Sequence, residues 1–215
     1  MTETDVSKHS TKGKPRLISI GGKVITFNSE PNTPIIDVKQ LPKIDAVCLQ
    51  LATINRFNGA VRPYSVAQHC CLVGSLVASR RPDLELPALL HDLPEIVYGD
   101  IVTGVKNSVG MVLTKFMEDI DILVMNHYIG RFGFKYPFLK ADTELIKEAD
   151  TFALLSEAQC LFPEGSRPSD RPEFWPSHES KFVELTDMLV CQDRETASSN
   201  LLNRIKSAVA KLAKK

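Results

Sequence analysis

Two ionisable side chains, His91 and Asp92, directly follow Leu86, Ala88, Leu89 and Leu90, a run apolar enough to be buried on every side. A carboxylate and an imidazole removed from water need hydrogen-bond partners or a counter-charge, or the burial opposes folding. Any fold open to this chain must therefore deliver further polar groups, or a cation, to that point of its core.

Two other segments offer such groups. Ser65 opens a helix as its N-cap, with Gln68 three residues on able to complete a capping box. On that helix His69 shares a face with Val66 and Val73, so its imidazole is directed toward the core. Asp150, on a later helix, sits beside Ile146 and Ala153 in the same way. Alone, a histidine on an apolar face reads as a hydrogen-bonded core residue. As a set, His69, His91, Asp92 and Asp150 supply two imidazoles and two carboxylates, which suits a divalent ion such as Mn²⁺, Co²⁺, Fe²⁺, Zn²⁺, Ni²⁺ or Mg²⁺ and leaves coordination positions open. An open position is what a catalytic metal needs.

Glu95 lies at i+4 from His91 and i+3 from Asp92, on the same face if the helix continues, within reach of a water at such a site. Asp100 follows Gly99, where that helix should end. Thr103 and Lys106 come next, a hydroxyl and an ammonium able to face a phosphate. Each has a plainer alternative as solvated surface.

Apolar periodicity makes the chain mainly α, with helices over about 43–57, 65–81, 83–99, 108–130, 141–162, 177–191 and 194–214. Pro94 should bend the third of these, because it withholds a backbone donor from the preceding turn. A short N-terminal β-hairpin is expected over 17–27, where β-branched residues flank Gly21-Gly22. Residues 1–15 are polar and aperiodic, a tail, and 16–215 read as one domain. The proline-rich stretch 163–176 is a loop, either an ordinary surface connection or a border of the pocket. In the lysine-rich last helix, Leu201, Leu202, Ile205, Val209 and Leu212 form an apolar stripe that should dock on the core. Apolar residues at 112, 116, 120 and 123 fit core packing or a homo-oligomer contact equally well.

The 26 basic and 26 acidic side chains cancel. That removes the long-range field expected of a protein whose main partner is extended nucleic acid, and favours a small anionic substrate. No apolar run approaches the roughly 18 residues of a membrane span, and the N-terminus lacks a signal-peptide core, so a cytoplasmic location is expected. Five cysteines without a C-x-x-C pair argue against a disulfide framework or thiolate zinc site; most should be reduced core thiols.

The ordered series His69, His91-Asp92, Asp150 resembles the H…HD…D signature of the HD-domain superfamily. The string HDLPEIVYGDIVTGVK is similar to the HD-x-x-E-x-x-x-GD-[LI]-x-T-x-VK pattern of bacterial HD-domain 5′-deoxynucleotidases. Upstream, INRFNGAVRPYSVAQHCCLV looks like the segment of small phage and bacterial HD hydrolases that carries an arginine, an aromatic and the first metal histidine. Small phage-encoded dATP triphosphohydrolases are similar over the same motifs. The resemblance covers about residues 20–160. It implies a single HD-domain helical bundle, metal-dependent hydrolysis of a deoxynucleotide at the α-phosphorus, and deoxyadenylate as the leading substrate. It further implies that Glu95 and Asp100 are catalytic, Arg56 contacts phosphate, and Phe57 lies beside the sugar or base. Phe57 stands where the deoxynucleotidases usually have tryptophan, which leaves base selection open. The competing readings are an HD-fold binding or sensor module with a structural metal, and another HD phosphodiesterase.

Overall fold

The computed structural model describes residues 16–28, 35–108, 110–177 and 189–214. It is mainly helical, with eight α-helices and one antiparallel hairpin among the described residues. The expected tail over 1–15 and most of the expected helix over 177–191 lie outside the described residues; 189–191 are not helical.

Strands β1 (Arg16–Ile20) and β2 (Lys23–Phe27) pair in the register Arg16 to Phe27. Gly21 and Gly22, at φ 54° and 77°, make the two-residue turn whose positive angles match strand twist. Helix α1 (Ile44–Leu51) lies under it. Gln50 fastens the two, accepting from the Gly21 N–H at 2.6 Å while its amide donates to the Ile96 carbonyl at 2.8 Å.

Helix α1 stops at Leu51, not near Phe57 as its periodicity suggested. The chain beyond it pairs with residues 64–66 instead: Arg56 N donates to Tyr64 O and Val66 N to Ile54 O, both at 2.9 Å. That tertiary ladder competes with helical continuation and wins. Helix α2 (Val66–Arg80) then begins at Ser65, whose hydroxyl caps the Gln68 N–H at 3.3 Å. The capping box is only half made. The Gln68 side chain turns away, bonding Val190 O and Gln192 N to tie down the segment before the last helix.

The expected bent helix over 83–99 is two short helices, α3 (Glu85–Leu89) and α4 (Glu95–Tyr98). Between them the chain passes through tighter turns, with Leu90 N bonded to Pro87 O and Leu93 N to Leu90 O. Pro94 cannot donate to the Leu90 carbonyl, so the α-ladder breaks rather than bends. His91 and Asp92 therefore ride on a turn. Gly99, at φ 79°, ends α4 in a conformation that side-chain-bearing residues rarely adopt.

Helices α5 (Thr103–Ser108) and α6 (Met111–Ile129) replace the single start expected at 108. Helices α7 (Lys140–Leu161) and α8 (Arg194–Leu212) fall close to their expected bounds. Helix α2 is central. One apolar cluster joins it to the hairpin, α1, α3, α6 and α8, and a second joins its far end to α7 through Val73, Val77, Ile146 and Ala149. The α8 stripe docks as expected, with Leu201 and Ile205 buried and Leu202, Val209 and Leu212 packed against the core. All five cysteines are free, but only Cys48 and Cys70 are fully buried. Burial pushes both thiols up to about 12. No described helix is long and apolar enough to cross a membrane.

Candidate metal centre

The two histidines are fixed at one nitrogen and bare at the other. His69, wholly buried on α2, donates from Nδ1 to Glu157 Oε1 at 2.8 Å. His91 donates from Nδ1 to the Ala88 carbonyl at 2.8 Å. A carbonyl only accepts, and Glu157 also takes a hydrogen bond from Arg56 Nε at 2.9 Å, so both partners call for Nδ1–H. In the neutral ring the lone pair then sits on Nε2, and both Nε2 atoms are buried without a hydrogen-bond partner. Unpaired buried nitrogens of this kind are costly unless something else fills their valence.

What they face is acidic. Asp92 Oδ2 lies 3.4 Å from His69 Nε2 and 3.3 Å from His91 Nε2. The ligand atoms of His69, His91 and Asp92 all fall within 4.8 Å of one another, a group that could hold a metal ion. Asp150 borders it from α7, its Oδ1 at 3.0 Å and 3.9 Å from the same two nitrogens. Its carboxylate turns inward to the buried imidazoles, as its apolar neighbours suggested, but does not lie wholly in the core. The side chain is 40% exposed and opens on a cavity.

The electrostatics point the same way. His69 is raised to about 9: burial and Arg56 oppose its charge, but Glu157 and Asp150 outweigh them. His91 is raised well above its usual value against burial, chiefly by Asp92. Burial opposes ionisation of Asp150 too, yet the two imidazoles hold it well below the usual carboxylate range. The carboxylates draw positive charge onto the rings, which a divalent cation would supply without the protons.

The cavity above the group measures about 500 Å³ and is lined by four carboxylates, Asp92, Glu95, Asp100 and Asp150, against two cations, Arg56 and Lys106. Glu95 is 4% exposed, its Oε2 has no partner, and Lys106 Nζ stands 3.9 Å from its Oε1. Burial first, then Asp92 and Asp100, raise its pKa well above the ordinary value. Burial likewise raises Asp100. The chain thus brings Glu95, Asp100, Lys106 and Arg56 to one chamber with Asp92, although the continuous helix expected to put Glu95 on the face of His91 and Asp92 is absent. Helix α5 begins at Thr103, whose side chain lies outside the described residues.

Arg56 is buried and spans the site, with Nε on Glu157 and Nη1 3.8 Å from Asp92 Oδ2. Next to it Phe57 lines the cavity at φ 56°, followed by Asn58 at φ 52°. Left-handed backbone at a phenylalanine costs on the order of 1–3 kcal/mol and persists only where surrounding contacts hold it. Phe174, Trp175 and Pro176 complete the wall, so the proline-rich loop borders the pocket.

Glu157 is the residue that sequence reasoning missed. It is fully buried on α7, seven residues after Asp150 and so on nearly the same face. A carboxylate two turns from a candidate ligand, flanked by buried Ala153, Ala158 and Leu161, was the available signal.

No protein-family model matches the sequence. An uncharacterized protein of Rhodobacter capsulatus is 34% identical over 136 residues, 60% of this chain and 67% of that protein. The chain belongs to the same family as that protein.

Proposed function

We propose that this protein is an HD-superfamily phosphohydrolase that uses a divalent metal to hydrolyse a nucleotide at its α-phosphorus, with a deoxyadenylate nucleotide as the leading substrate. The observation that carries the reading is the pair of buried, unpartnered Nε2 atoms converging with Asp92 on the floor of a chamber that also presents two cations. His69, His91, Asp92 and Asp150 would hold the ion; Co²⁺, Mn²⁺, Zn²⁺, Mg²⁺, Fe²⁺ and Ni²⁺ all suit that donor set. When bound, the ion supplies Lewis-acid chemistry, which acidifies water and polarises phosphoryl oxygens.

The chain's own residues do the rest. Glu95, with an unpartnered oxygen and a raised pKa, accepts the proton of the attacking water. The water oxygen bonds to the α-phosphorus, the bond to the 5′ oxygen breaks, and Asp100 delivers a proton to that leaving oxygen. Arg56 and Lys106 stabilise the negative charge that grows on the phosphoryl group, and Thr103 lies in the chain segment that would reach it. A triphosphate yields nucleoside and tripolyphosphate, and a monophosphate yields nucleoside and phosphate. Glu95 and Asp100 on the chamber wall favour this over a sensor module with a structural metal, which has no use for them.

The test is ion-exchange analysis of products after the protein meets each common ribo- and deoxyribonucleoside mono-, di- and triphosphate with Mn²⁺, Co²⁺, Mg²⁺ or Zn²⁺. Nucleoside with tripolyphosphate, or with phosphate, is expected, and Asp92→Ala should abolish it. No cleavage of any nucleotide by folded protein with any of these ions refutes the assignment.

A further inference from the structure

Three aromatic rings tie the proline-rich loop to the turn after Arg56. Phe57 and Phe162 meet edge to face with centroids 5.2 Å apart, and Phe162 meets Trp175 in the same geometry at 5.2 Å. Phe57 and Trp175 both line the chamber, and Phe162, which does not, packs against each of them. Phe174, beside Trp175, keeps 69% of its surface exposed with the Arg171 guanidinium 4.3 Å from its ring centre. The chamber therefore presents two kinds of surface, the charge of Arg56 and Lys106 and the aromatic, apolar wall that the loop completes.

From this geometry we infer that Trp175 forms the base-stacking wall of the site and sets its preference for purine over pyrimidine nucleotides. The inference rests on the nucleotide reading above. Held edge to face by Phe162, the indole is oriented before any ligand arrives, so little rotamer freedom is lost on stacking. A flat heteroaromatic base gains most on such a surface, and a purine offers the larger area. Without the indole, sugar and phosphate contacts remain but discrimination between bases falls.

Trp175 is the single tryptophan of the chain, so its emission reports on this wall alone. The full-length protein with Mn²⁺ is mixed in a stopped-flow instrument with dAMP, dATP, thymidine monophosphate, deoxyadenosine, 2-deoxyribose 5-phosphate or inorganic phosphate. Quenching is expected with the adenine compounds, less with the thymidine nucleotide, and none with the sugar phosphate or phosphate. Steady-state kinetics of Trp175→Ala should show KM for purine nucleotides raised by about tenfold with kcat nearly unchanged, as loss of one stacked ring implies. Trp175→Phe should restore most of the loss. Hydrolysis by the wild type without any change in emission, or with wild-type KM and base preference in both variants, overturns the wall and leaves the phosphohydrolase standing. Base-dependent quenching without hydrolysis supports the wall and refutes the hydrolase. If Trp175→Ala does not fold, the base dependence of the wild-type emission still decides.

Discussion

At the scale of single residues, Glu157 determines how the site is set. It fixes the tautomer of His69 and, itself fully buried, neutralises Arg56, so its loss disturbs two groups at once. Supporting partners of metal-binding histidines typically account for about 10–100-fold in affinity. Glu157→Gln should lower Mn²⁺ affinity by that order in isothermal titration calorimetry, and an unchanged affinity would mean that His69 needs no such support. The same buried pair makes Arg56→Ala a poor probe of phosphate binding, because it strands a buried carboxylate at a cost of roughly 3–5 kcal/mol. Glu95 gives a pH signature. Its pKa is raised in the folded protein, so its contribution to stability is intact below the ordinary glutamate value and is lost as pH rises through the folded value. In metal-free protein, Glu95→Gln should therefore melt above the wild type at alkaline pH, the gap closing as pH approaches the unperturbed glutamate range. Thermal melts across that range that stay parallel would contradict the raised pKa.

At the scale of elements, α2 and α3 pack closely at Gly74. A methyl group at Gly74 would come 2.5 Å from Leu89 Cδ2, two residues before His91. Gly74→Ala should force these helices apart, cost about 1–3 kcal/mol in urea denaturation, and weaken metal binding through the displaced turn. The last helix is held to α3 by Glu85, which accepts from Arg204 at 3.0 Å and Lys211 at 2.7 Å. Burial resists the charge, but those two cations hold Glu85 below its usual pKa. The stability from this clasp is present above the ordinary glutamate value and is lost as pH falls through the folded one. Glu85→Gln should destabilise near neutral pH and much less in acid, as denaturation midpoints at two pH values would show. Helices α7 and α8 were legible because each carries a sustained apolar stripe. The ends of α1 and α3 were not, because α1 yields to a ladder with residues 64–66 and α3 to a missing donor at Pro94.

At the scale of the whole molecule, the proposed ligands for one ion come from α2, the turn after α3, and α7, so binding would be linked to folding. An ion that binds only the folded chain adds about 2.7 kcal/mol of stability when present at a hundred times its Kd. Calorimetric melts should show Tm raised by Mn²⁺, returned by chelator, and insensitive to Mn²⁺ in His69→Ala. An equal rise in that variant would place the ion elsewhere. The sequence by itself determined the helical class, the hairpin, and the polar residues that could not be buried without partners, because periodicity and the cost of desolvation act locally. Tertiary structure alone decided that Asp150 opens on a cavity, that Glu157 clamps His69 and Arg56, and that a proline-rich loop supplies the tryptophan of the pocket wall. Those facts depend on residues about a hundred positions apart meeting in space, and no local pattern encodes which of them will meet.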